Sequence, residues 1–73
     1  MSALSDQVLA ISRPYLGPAT DKFMTRQCAH LKIDVPALEQ SHLEELAKWV
    51  NVSGKLIMDP SKALELAKKI ANL

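Results

Sequence analysis

Ser41-His42-Leu43-Glu44-Glu45-Leu46-Ala47-Lys48-Trp49-Val50-Asn51-Val52-Ser53-Gly54-Lys55-Leu56-Ile57-Met58 is the longest periodic run in the chain, and its period decides the fold. Leu43, Leu46, Ala47, Val50, Gly54 and Ile57 recur at helical steps, which places them along one side of an α-helix. Ser41 followed by Glu44 has the form of a capping box: the hydroxyl accepts from the Glu44 amide while the carboxylate reaches back. Asp59-Pro60 closes the run, because the residue before a proline is pushed out of helical geometry. The spacing predicts a helix over residues 42–58.

Taking about 100° per residue, Trp49, Val52 and Leu56 fall on a second arc beside the first. Glu44, Lys48, Asn51 and Lys55 occupy what remains. An ordinary surface helix needs an apolar stripe about 100° wide, and this one has roughly twice that. Two explanations compete: the helix is covered on two sides by its own neighbours, or Trp49, Val52 and Leu56 stay partly exposed and dock a partner helix or a second copy. Tryptophan is enriched at binding hot spots, and a contiguous apolar patch on a small domain is otherwise a liability. Gly54 inside the run costs about 1 kcal/mol relative to alanine. Its place predicts close approach of another helix, with a local kink after Ser53 as the other explanation.

Downstream, Asp59 suits an N-cap and Pro60 a first helical residue, so residues 60–72 form the last helix. Ala63, Leu64, Leu66, Ala67, Ile70 and Ala71 are its expected buried side, and Glu65, Lys68, Lys69 and Asn72 its wet side. The tight connection makes these two helices antiparallel or sharply crossed neighbours.

Upstream, residues 18–31 form another helix, with Phe23, Met24, Gln27, Cys28 and Leu31 on one face and Thr20 at its margin. Lys22, Arg26 and His30 stand four apart as a basic ridge, which fits a solvated face, contact with a phosphate or an acidic partner segment, or, against the near-neutral charge, nucleic acid. Lys32 to Pro36 breaks the pattern, and a short helical turn at residues 36–39 is expected, with Leu38 capping one end of the core. The first helix, residues 2–13, carries Leu4, Val8 and Ile11 in one stripe with Leu9 beside it; Ser2 or Ser5 caps it and Pro14 ends it. Between these helices lies Pro14-Tyr15-Leu16-Gly17-Pro18, a rigid linker in which Gly17 suits an N-cap and Pro18 a first helical residue. From Pro14 to about Phe23 the chain resembles the Tyr-(Leu or Ile)-Gly-Pro segments of short helical modules attached to bacterial signalling proteins such as serine/threonine kinases. That resemblance implies a bacterial regulatory or adaptor setting and carries over no catalytic residue.

With 73 residues, the chain makes one domain, small enough to be marginal in stability without a partner. Hydrophobic residues make up 48% of it, yet only Tyr15, Phe23 and Trp49 are aromatic and glycine occurs twice. That balance opposes a sheet and predicts an all-α fold: a compact bundle of four main helices plus the short turn. Net charge is +1, which supplies no field to draw the chain to nucleic acid or anionic lipid. Cys28 is alone and so forms no intrachain disulfide; a reducing compartment follows most simply. No apolar run approaches the roughly 20 residues of a membrane span. Asp6 and Gln7 interrupt any signal-peptide core, so the cytoplasm is expected. Met1 suggests a complete chain.

Chemistry finds little purchase. Cys28 and His30 are two apart, pointing about 200° from one another on a helix, so they do not form a nucleophile–base pair. His30 and His42 lack further ligands for a metal, and two isolated glycines make no phosphate loop. Glu44 and Lys48 are spaced for a solvated ion pair rather than acid–base work. The sequence therefore predicts a non-enzymatic protein–protein interaction module, regulatory or adaptor in kind, working alone or as a homodimer and needing no cofactor. Trp49, Val52 and Leu56 would make the contact, with Lys22 and Arg26 as polar selectors. The alternative is a thiol-dependent enzyme or small-ligand carrier using Cys28.

Overall fold

The computed structural model describes residues 3–73, and every regular element in that range is helical. Helix α1 spans Ala3–Leu16, α2 Thr20–His30, α3 Leu43–Gly54 and α4 Pro60–Ala71, with 3-10 turns at Gly17–Ala19, Val35–Ala37 and Gln40–His42. Among the described residues no helix is long and apolar enough to cross a membrane.

Helix α1 does not stop at Pro14, which lies inside it. Proline's own φ is helical; near a C-terminus it forfeits one backbone bond without preventing the next residues from continuing. Gly17 makes the stop instead. Its φ of 56° is left-handed, the conformation that closes helices and that glycine adopts without a Cβ clash. Gly17 thus ends α1 rather than capping α2, and Pro18 sits in the intervening turn. Thr20 begins α2, its hydroxyl donating to the Gly17 carbonyl at 2.6 Å and its amide bonding the same oxygen.

The buried side of α1 is Ser5, Val8 and Ser12, while Leu4, Leu9 and Ile11 pack more loosely around it. Ser12 is satisfied there by donating to the Val8 carbonyl at 2.6 Å. Ser5 is buried within α1 instead of capping it; Ser2, the other candidate cap, and Met1 lie outside the described residues. At the far end of α2, Ile33 N–H reaches the Cys28 carbonyl and Lys32 N–H the Ala29 carbonyl. Those two bonds are a Schellman closure with Lys32 at its left-handed position, φ 61°.

The expected capping box at Ser41 and Glu44 forms two residues earlier. Glu39 N–H donates to His42 Nδ1 at 2.9 Å, and the Glu39 side chain accepts from the His42 amide. This gives His42 a structural task its sequence position did not suggest. Helix α3 then ends at Gly54, four residues before the expected Met58. The amides of Leu56, Ile57 and Met58 fold back onto the carbonyls of Ser53 and Gly54. The cause is α4, which returns across α3 at this point: a Cβ on Gly54 would lie 3.0 Å from the Ala63 Cβ. Close helix approach is the reason for the glycine.

Met24, Cys28, Leu38, Leu43, Leu46, Val50, Leu66 and Ile70 fill the core between the four helices. On α4 the buried arc is Ala63, Leu66, Ala67 and Ile70; Leu64 and Ala71, both expected inside, are exposed. Each lies one residue round from that arc, about 100° off the seam. The Cα radius of gyration is 10.7 Å, against about 11 Å for a compact chain of this length. Side chains left outside are therefore not exposed through loose packing.

Two stability changes follow. Gly54→Ala should lower the urea-unfolding free energy by about 1 kcal/mol, because crowding against α4 exceeds the helix propensity gained. Adding Ala63→Gly should recover part of that loss, and an unchanged midpoint for Gly54→Ala alone would show that α3 and α4 separate freely. Lys32→Gly should raise stability by about 0.5–1 kcal/mol in the same assay by removing the left-handed strain on a side chain.

Candidate functional site

A groove of about 390 Å³ opens between α2 and the turn that follows α3. One wall is Ala19, Lys22, Phe23, Arg26 and Gln27; the other is Ser53, Leu56 and Ile57. It exists because α3 stops at Gly54, so the next residues turn outward instead of continuing the buried stripe. Leu56 is 84% exposed, Ile57 60% and Val52 59%. Ile57 was expected in the stripe facing the core; its exposure could be foreseen only by placing the helix end at Gly54.

Lys22 and Arg26 stand on the rim, both exposed, and among the described residues neither has an ion-pair partner. Asp21 beside them is engaged elsewhere, 3.9 Å from Arg13. Nothing acidic lines the groove. Gln27 is fully buried in the wall: its Oε1 accepts from the Ser53 hydroxyl at 2.9 Å, while its Nε2 has no acceptor.

Three of the sequence-derived contact residues, Lys22, Arg26 and Leu56, are thus brought to one place. Trp49 is not among them. It is half-buried and stacked on His30, ring centroids 3.9 Å apart and planes 7° from parallel. The stack ties the C-terminal end of α2 to the middle of α3 and takes His30 out of the basic ridge. Val52, in the last turn of α3, does not line the groove.

Cys28 offers no competing chemistry at the surface. It is fully buried; desolvation pushes its thiol above the ordinary range, and the charge of Asp34 adds to the rise. His30, held against Trp49, is not presented to it. Among the described residues, no ion pair joins Glu44 to Lys48, and no three His, Cys, Asp or Glu side chains converge.

A larger hollow, about 540 Å³, lies between α1 and α4 over Ile11, Pro14 and Met58. Three of its polar side chains, Tyr15, Glu65 and Lys69, are already occupied with one another. The Tyr15 hydroxyl donates to Glu65, and the Lys69 ammonium sits 5.1 Å from the centre of the Tyr15 ring. The Tyr15 hydrogen bond, helped by Lys62 and Lys69, holds the Glu65 carboxyl below its usual range. This cluster fastens α1 to α4, so the smaller groove, where exposed Leu56 and Ile57 lie beside Lys22 and Arg26, is the better candidate. No protein-family model, curated protein or solved structure matches this chain.

Cys28 should react slowly with an alkylating reagent until denaturant is added, since the nucleophile is the thiolate and burial opposes it; immediate reaction would reveal an activated thiol. The sign of the pH effect follows from linkage. A thiol raised in the folded state keeps its proton where the unfolded chain has lost it, so its contribution falls as pH rises from the ordinary thiol range towards the folded value. Cys28→Ala should lack that alkaline component in pH-dependent urea titrations. His30→Ala should change the Trp49 emission spectrum and cost about 0.5–1.5 kcal/mol, the worth of an aromatic pair.

Proposed function

We propose that this chain is a small protein-interaction module, regulatory or adaptor in kind, which docks a partner on the groove between α2 and the end of α3. The single supporting observation is the exposure of Leu56 with Ile57 in one groove, on a domain that fully buries Leu43, Leu46, Leu66 and Ile70 or nearly so. Leaving a leucine or isoleucine in water forfeits about 1.5–3 kcal/mol of burial each. A chain this short has little stability to spare, and apolar side chains gathered at one exposed place are characteristic of a contact surface. Lys22 and Arg26 at the rim would select among partners, and binding rather than catalysis is the activity. The helical bundle serves as a rigid frame for that face. The resemblance of Pro14 to Phe23 to modules of bacterial signalling proteins fits such a role, and an unpaired, buried Cys28 fits the reducing cytoplasm.

Leu56→Asp and Ile57→Asp test it. Both positions are exposed, so helical circular dichroism and the urea midpoint should stay within about 0.5 kcal/mol of wild type. Immobilised wild-type protein should retain a protein from cells of its source, and the substitutions should abolish that retention. Retention indifferent to both substitutions, or no retention at all, would overturn the proposal.

A further inference from the structure

We infer that the groove takes an acidic peptide segment: an apolar side chain seated on Phe23, Leu56 and Ile57, with carboxylates meeting Lys22 and Arg26. The inference rests on the docking function just proposed and names its partner by chemistry. Charge complementarity carries it. The rim holds two cations four residues apart on one helix face, neither paired among the described residues, and the lining contains no acid. Lys55 adds a third positive charge next to Leu56 in the chain. Arginine's planar fork matches a carboxylate with two parallel hydrogen bonds.

Other occupants fit less well. A symmetric dimer sets a patch against its own copy, which here would bring Lys22 and Arg26 towards like charges. Nucleic acid would have no use for the apolar centre, and the net charge of +1 gives it little attraction. Anionic membranes recruit clusters of about four to eight basic residues, more than this rim offers, and a bilayer surface does not fill a concave groove.

The test is selection of displayed random peptides on the full chain, in wild type, in Leu56→Asp and in the double variant Lys22→Glu with Arg26→Glu, each first shown to keep its helical circular dichroism. Peptides enriched on wild type should combine an aliphatic or aromatic residue with Asp or Glu. Synthesised singly, they should bind each variant roughly ten-fold or more weakly, and the charge-reversed protein should enrich Lys and Arg instead. Enriched peptides that lack acids and ignore the charge reversal, yet need Leu56, would overturn this inference and leave the docking function standing. No enrichment, or enrichment indifferent to Leu56→Asp, would overturn both. A concentration-dependent dimer in sedimentation, or co-sedimentation with phosphatidylcholine–phosphatidylserine vesicles, lost in Leu56→Asp in either case, would assign the face to a second copy or to a membrane and overturn the acidic-peptide inference.

Discussion

The approach of α4 to α3 at Gly54 and Ala63 is the constraint on which the rest of this structure depends. Helix axes come this close only where side chains are nearly absent, and here one partner has no Cβ and the other has only that atom. The contact between α3 and α4 is the most extensive in the domain, and α1 and α2 pack against the pair it forms. Asp59-Pro60 makes the return immediate: the Asp59 carbonyl accepts from the amides of Lys62 and Ala63, so α4 is already turning as Ala63 arrives under Gly54.

The same crossing determines what stays outside. A helix continued past Gly54 would have carried Ile57 down the buried side. Because the chain turns, Leu56 and Ile57 are put against the flank of α2, beside Lys22 and Arg26. The candidate site is thus a consequence of the packing and not an addition to it. The Ser53–Gln27 hydrogen bond pins the two walls together at the place where they meet.

Polar groups elsewhere are largely spent on holding the frame. Ser12 bonds its own helix, Thr20 ties the start of α2 back to the Gly17 carbonyl, Glu39 and His42 close the turn before α3, and Tyr15 with Glu65 and Lys69 joins the first helix to the last. Against that background the groove stands apart. Among the described residues neither Lys22 nor Arg26 has an ion-pair partner, and the buried Gln27 Nε2 in its wall lacks an acceptor. Buried polar atoms are ordinarily paired; among the described residues Asn51 Oδ1, which does not line the groove, is a second exception.

Local chemistry alone determined the helical class, the faces of α2 and α3 through Val50, the Asp59-Pro60 start of α4, and the small-residue role of Gly54, because period and turn residues act over a few neighbours. Of the five residues it offered as contacts, Lys22, Arg26 and Leu56 line one groove, and Trp49 and Val52 do not. What it did not determine were the helix ends at Leu16 and Gly54, the capping frame at Glu39 and His42, the burial of Ser5 and Ser12, and the exposure of Ile57 and Leu64. The end at Leu16 and the Glu39–His42 frame turn on local backbone geometry that spacing alone leaves open. The end at Gly54, the burial of the serines and the exposure of Ile57 and Leu64 depend instead on which helix lies opposite, a matter of residues distant in the chain. Trp49 shows the distinction most clearly. Its place on a second apolar arc was written in the spacing, but whether the indole faced a partner or the imidazole of His30 was decided only when α2 crossed α3.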